Sequence, residues 1–146
     1  MIVFLKIFLL FFLFSTSYTE DFISIKEVTN IANLRKGPGA WYPVKWIIKT
    51  PSLPLKVLER GSNYNKVELH DGTEGWLSII LTTNKQNLIV ISDTLLADKK
   101  GETKAKILKD FIIKDFDCKL SKRPNYCKVE LSSLKGYIKK NALWGH

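Results

Sequence analysis

The chain has two thiols, Cys118 and Cys127, and two imidazoles, His70 and His146. A cysteine nucleophile needs a histidine to take its proton and a third polar group to orient that histidine. His70 follows a strand-like run and directly precedes Asp71-Gly72, a hairpin-turn pair, so it reads as a solvated turn residue; His146 is the last residue. Neither lies in a recognisable nucleophile motif. The sequence also has no phosphate-cradling glycine loop, metal-ligand cluster or supported carboxylate pair, so it argues against an enzyme and implies no cofactor or metal. The cysteines read better as a staple. Phe116 and Cys118 share strand parity, as do Cys127, Val129 and Leu131, and Leu120 to Tyr126 can turn back between them. Antiparallel neighbours at a non-hydrogen-bonded pair lie ~4.5 Å apart at Cα, a separation that a disulfide accepts. The alternative is two buried free thiols.

Binding chemistry is better represented. Trp41, Tyr42, Trp46, Tyr64 and Trp76 fall between residues 41 and 76, and Trp and Tyr offer large rigid contact faces with a polar edge. Strand parity favours the core for Trp46, which alternates with Val44, and for Trp76, which follows Gly75 at a strand start. Trp41 and Tyr42, beside Gly39, and Tyr64, of opposite parity to Val67 and Leu69, are open to either place. Arg35 lies on the opposite face from Leu34, where its guanidinium can brace a loop through carbonyls or meet a ligand carboxylate. The formal charge is +9, from 23 basic and 14 acidic residues. That balance favours anionic partners without choosing among nucleic acid, membrane surface and acidic polymers. Lys99, Lys100, Lys104, Lys106, Lys109, Lys135, Lys139 and Lys140 read as a solvated face, with loose contact to an anionic polymer or lipid headgroups as the alternative.

The elements that must position these side chains are short strands. Val44–Lys49, Leu53–Leu58, Lys66–Leu69 and Gly75–Ile80 are separated by Gly, Pro, Asn and Asp clusters, the spacing of a small all-β sandwich or barrel. Pro51 and Pro54 oppose a helix between Trp46 and Leu58. One hairpin is written twice. Asn63-Tyr64-Asn65-Lys66-Val67-Glu68-Leu69 returns 62 residues later as Asn125-Tyr126-Cys127-Lys128-Val129-Glu130-Leu131, and Gly75-Trp76-Leu77 returns 61 residues later as Gly136-Tyr137-Ile138. The chain is therefore two copies of one β unit. A copy of about 60 residues buries only ~60% of its unfolded surface and is marginal alone, so the copies are expected to lean on each other or on a staple.

Four motifs carry a resemblance. Asn33-Leu34-Arg35-x-Gly37-Pro38, Trp41-Tyr42-Pro43-Val44-x-Trp46, Leu53-Pro54-Leu55-x-Val57 and Asp71-Gly72-x-x-Gly75-Trp76 resemble the bacterial SH3-like (SH3b) family, most closely its two-unit exported proteins from alphaproteobacteria. The resemblance implies two tandem SH3-like barrels and a ligand, peptide or peptidoglycan fragment, held on aromatic faces between surface loops. The second copy lacks the Arg, the Gly-Pro turn and the Trp-Tyr-Pro segment, so it is expected to be structural.

The segments divide as follows. Residues 1–17 read as a secretory signal: Lys6 is the only charge, Ile7 to Phe14 is an unbroken apolar run, and Ser15-Thr16-Ser17 supplies small residues for cleavage. The run is short of the ~20 residues that span a bilayer, so membrane contact is expected only if the segment stays uncleaved. An exported chain meets an oxidising compartment, which favours the disulfide. Residues 18–29 read as a polar arm, 30–84 as the first unit with Thr82 to Asn87 as a linker, and 85–146 as the second, opened by Leu88–Ile91. The functional expectation is an exported, periplasmic, non-catalytic protein that recognises peptide or peptidoglycan. The alternative is a scaffold that docks another envelope protein. Basic barrels can also stack single-stranded nucleic acid, but export speaks against a specific nucleic-acid partner.

Overall fold

The computed structural model describes residues 19–146, so the signal reading of residues 1–17 lies outside the described residues. The chain is all-β and SH3-like, with single 3-10 turns at Ile79–Leu81 and Lys140–Ala142. The first set of strands is β1 (Phe22–Ile25), β2 (Ala32–Arg35), β3 (Val44–Ile48), β4 (Pro54–Glu59), β5 (Tyr64–Glu68), β6 (Glu74–Ser78) and β7 (Thr82–Thr83). They form one antiparallel sheet in the order β3-β2-β6-β5-β4-β1-β7. The second set is β8 (Leu88–Val90), β9 (Thr94–Ala97), β10 (Thr103–Ile107), β11 (Ile112–Ile113), β12 (Asp115–Asp117), β13 (Tyr126–Leu131), β14 (Leu134–Lys139) and β15 (Leu143–Trp144). Its pairings repeat the first set's, with β11 and β12 together standing where β4 stands: β8 bridges β11 and β15 as β1 bridges β4 and β7.

The repeated words fold into matching hairpins. Val67 faces Gly75 and Lys66 faces Trp76 across β5 and β6; Val129 faces Gly136 and Lys128 faces Tyr137 across β13 and β14. The turns differ. Asp71-Gly72, with Gly72 at φ 84°, sits in the first connection, while Leu131 and Leu134 pair directly around Ser132-Ser133 in the second. That second turn is one residue shorter, which is why the sequence offset drops from 62 to 61 across it. Glycine at 75 and 136 is required by packing. A Cβ at Gly75 would stand 2.5 Å from Leu34 Cγ, and one at Gly136 would stand 2.5 Å from the Ala97 carbonyl oxygen.

Two apolar clusters form the core. One gathers Ile23, Ile25, Leu34, Leu55, Val67 and Leu77; the other gathers Leu88, Val90, Leu96, Ile113, Val129 and Ile138. Strand β8 divides them. Leu88 and Val90 enter the second cluster, whereas Ile89 between them enters the first, joined there by Ile91, Ile112 and Trp144. Side chains on a strand alternate faces, so a strand with a core on each side is buried at every position, as β8 is.

Two expectations are corrected here. The arm expected at 18–29 contains β1, which is buried at all four positions and pairs with β4 and β7. Ile23 and Ile25 fill the first core, and Phe22 meets Trp144 edge-on at 5.0 Å between ring centroids. The linker expected at Thr82 to Asn87 begins as β7 and ends in a buried Asn87, whose Nδ2 donates to the Ser52 carbonyl at 2.8 Å. A polar residue reads as loop in sequence, yet one that satisfies a buried carbonyl is part of the packing.

The Cys118–Cys127 disulfide is formed, with Cα atoms 4.1 Å apart. It continues the β12–β13 ladder one step beyond Asp117↔Lys128 and locks a sheet whose Cys127 end is fully buried.

Candidate functional site

The connection from β2 to β3, residues 36–43, is built on Arg35. One guanidinium nitrogen, Nη1, donates to the carbonyls of Ala40 at 3.0 Å and Tyr42 at 2.9 Å. Backbone bonds from Lys36 N to the Pro43 carbonyl (3.0 Å) and from Tyr42 N to the Gly39 carbonyl (3.2 Å) close the loop below it. The loop's rings lie on its glycines. The ring of Tyr42 occupies the space a Cβ at Gly37 would need, and the ring of Trp41 does the same at Gly39. Trp41 and Tyr42 sit 5.8 Å apart, and Trp41 is left 81% exposed. The loop thus holds an exposed indole beside a second ring on a braced backbone.

Arg35 also fixes the neighbouring face. It pairs with Trp76 of β6, which pairs in turn with Lys66 of β5, so cation, ring and cation follow one another across three strands. A depression of about 370 Å³ opens here, lined by Arg35, Lys36, Lys45, Lys66 and Glu74 around Trp76. Lys66 reaches Glu74 at 3.3 Å, and Lys45 Nζ donates to the Glu74 carbonyl at 3.0 Å. Four cations against one carboxylate leave the rim positive. Trp76 is only partly buried there, not the core residue that its strand position favoured. Tyr64 lies on the same outer face, opposite Ser78, also half-buried.

The second copy treats the equivalent ring differently. Tyr137 stands at the place of Trp76, between Ala97 and Lys128, and Arg123 lies over its ring at 4.5 Å from guanidinium carbon to centroid. Arg123 also donates to the Lys99 carbonyl, so the cover is tied down on its far side.

Trp46 and His70 are not part of this face. Trp46 pairs with the fully buried Leu34 yet is 57% exposed. Its parity points inward as expected, but β3 is the sheet's edge and projects past the core, where nothing covers it before Ile48. His70, expected as a solvated turn residue, has a side chain only 21% exposed. Its Nε2 lies 3.9 Å from a carboxylate oxygen of Asp110, its ring meets Trp144 at 6.3 Å, and its buried Nδ1 has no hydrogen-bond partner. Both residues line a cleft of about 430 Å³ between the two strand sets. Next to His70, backbone and side-chain hydrogen bonds from Thr73 hold the Asp71 carboxyl below its ordinary range.

Sequence reasoning missed Lys45 and Lys66 beside Trp76, and Asp110 beside His70. The first two were legible: Lys66 belongs to the repeated word, and strand parity puts it on the outer face. Asp110 was not, since its contact joins the two copies.

Among the described residues no helix is long and apolar enough to cross a membrane, and no group of acidic, His and Cys side chains is placed to hold a metal ion. No curated protein matches the chain. Solved structures similar to it include NlpC1 and NlpC2 from Trichomonas vaginalis. NlpC1 is 15% identical at a TM-score of 0.41, over 90% of this chain and 48% of that one; NlpC2 is 13% identical at 0.40, over 88% and 49%. The chain thus spans about half the length of the chains it matches. A family model described as a bacterial SH3 domain matches residues 28–82, from the turn after β1 to the start of β7. That stretch contains Arg35, its braced loop and Trp76, and residues 28–82 accordingly form a bacterial SH3-like domain.

Proposed function

We propose that the protein is a non-catalytic binding protein of the bacterial cell envelope that recognises carboxylate-bearing peptide, as in peptidoglycan, on the outer face of its first copy. The observation that carries this reading is the difference between two equivalent, half-buried rings: Trp76 sits between Arg35 and Lys66 and among the described residues no cation lies over it, whereas Arg123 lies over the ring of Tyr137. A half-buried indole ringed by cations suits a ligand with an apolar stem and an anionic end. Arg35 has guanidinium N–H groups beyond the nitrogen that braces the loop, and these suit bidentate capture of a carboxylate. Trp41 and Tyr42, on the loop that Arg35 braces, extend the contact face. The bacterial SH3 domain supports a wall ligand. Both thiols are in one disulfide, which supports an oxidising, extracytoplasmic location together with the signal-like residues 1–17.

The test is retention of the purified protein on isolated sacculi and its titration with soluble wall fragments. Retention that is lost on Trp76→Ala and weakened on Lys66→Ala is the expected result. Equal retention of wild type and Trp76→Ala refutes the assignment of the face, and no retention at all refutes the ligand. Export is checked separately, by the intact mass of protein from the envelope fraction, which should begin near Tyr18.

A further inference from the structure

The cleft between the strand sets has a feature that the Trp76 face lacks, a free strand edge. Strand β3 ends the first sheet and pairs only with β2. Its outer backbone groups are an open row of donors and acceptors, and folded proteins usually protect such a row with charge, especially lysine. The second copy does so. Its equivalent edge, β10, carries Lys106 opposite Leu95 and Ala105 opposite Leu96. In the first copy the corresponding positions are Ile47, opposite Asn33, and Trp46, opposite Leu34. Ile47 and Trp46 are each 57% exposed, and Lys106 is turned to Asp93 at 3.0 Å. Both edges carry one equivalent lysine, Lys45 and Lys104; the second copy adds Lys106, where the first has the exposed Ile47 beside Trp46.

The presented edge is also one wall of a groove. Trp46, Ile47, Lys49 and Thr50 line one side of the 430 Å³ cleft; His70, Asp71 and Asp110 line another. That volume falls in the roughly 300–1,000 Å³ range of ligand sites. Of the ionisable lining groups, Asp71 and Asp110 are acidic, Lys49 is basic, and His70 approaches Asp110 through Nε2. The Nδ1 of His70 is a buried polar atom with no partner in the chain.

We propose that the β3 edge takes up an extended peptide as an added strand. Its backbone pairs with Val44–Ile48, its apolar side chains rest on Trp46 on one face and on Ile47 on the other, and a Lys or Arg side chain meets Asp71 and Asp110. Main-chain pairing gives such complexes their affinity, and the pockets for alternate side chains give selectivity. The site adjoins the Trp76 face through Lys45 of β3 but does not depend on that assignment.

Three synthetic probes test it: the pentapeptide Val-Lys-Val-Lys-Val blocked at both ends, its Glu-for-Lys counterpart, and the Lys peptide with alternate amides N-methylated. Titration followed by tryptophan fluorescence and by amide shifts should give binding of the Lys peptide, with shifts centred on residues 44–50. The N-methylated and Glu peptides should bind at least tenfold more weakly. Ile47→Lys, which copies the guarded edge of the second strand set, should weaken the Lys peptide at least tenfold while leaving thermal stability and sacculus retention unchanged. Asp110→Asn should weaken it several-fold. Equal binding of all three probes, shifts elsewhere, no binding, or a concentration-dependent dimer that Ile47→Lys abolishes would overturn the proposal; the dimer would mean that β3 pairs with itself.

Discussion

The guanidinium of Arg123 lies over the ring of Tyr137 at 4.5 Å, whereas among the described residues no cation lies over the equivalent ring of Trp76. A cation placed on a ring face is worth about 0.5–1 kcal/mol at an exposed site, and it occupies the area that a ligand would stack on. The two copies therefore keep one hairpin and differ in what lies above it. In sacculus binding, Trp76→Ala should cost about 2 kcal/mol, roughly thirtyfold in Kd, as central aromatic anchors do. Tyr137→Ala should leave Kd unchanged while lowering the melting temperature. A loss from both variants would place the ligand across the two copies.

The disulfide closes a short loop, nine residues apart in sequence, in a unit with a small core. The chain-entropy model assigns a loop of this size roughly 2–3 kcal/mol. Denaturant unfolding of Cys118→Ser/Cys127→Ser should show that loss. The same shift should appear when the wild type is unfolded in reductant.

Gly75 and Gly136 occupy the same place in the repeat, but a methyl group meets different neighbours at each. At Gly75 it meets the buried Leu34 side chain; at Gly136 it meets the Ala97 backbone carbonyl. Overpacking usually costs about 1–3 kcal/mol, and a side chain can rotate away where a carbonyl in a ladder cannot. Gly136→Ala should be the more destabilising of the two by denaturant unfolding. Gly75→Ala should also disturb Arg35, whose carbonyl lies 3.1 Å from the added carbon.

Acid should weaken the fold through turn carboxylates. Asp71, Asp93 and Asp98 are held below the ordinary carboxylate range, each first by a backbone N–H: that of Thr73, Lys109 and Glu102 respectively. A carboxyl with a lowered folded-state pKa stabilises the fold above its unfolded value, ~3.9. That stability is lost as pH falls through the folded value. The melting temperature should be flat in this respect above pH ~5 and decline below ~4. Asp98→Asn should lower it at neutral pH and flatten the acid decline, because the charged acceptor of Lys100 N and Glu102 N is gone.

Much of this was legible because the hairpin is repeated. The β5–β6 and β13–β14 pairs, the disulfide and the all-β class all follow from alternation and turn residues, which are local signals. The misses share a cause. Phe22-Ile23-Ser24-Ile25 is too short and too polar in its surroundings to announce a strand. Its full burial arises only because β4, β7 and Trp144 close around it. Trp46 has core parity, but no layer faces it. His70 opens a turn, yet its side chain is mostly buried beside the other copy's Trp144 and Asp110. Each of these depends on how the copies meet, and periodicity within a copy carries no trace of that.

Ile89 has a consequence for how this chain can change. It sits in β8, at the head of the second strand set, yet belongs to the first core, where Trp144 from the opposite end of that set joins it. A repeat that supplies its neighbour's interior has lost the independence of a shuffled module. The first copy excised alone would carry a hole where Ile89 and Trp144 had been, and a third copy inserted between the two would separate Ile89 from the core it fills. The duplication has become a ratchet: the outer faces remain free to diverge, as Trp76 and Tyr137 have, while the number and order of the copies are fixed.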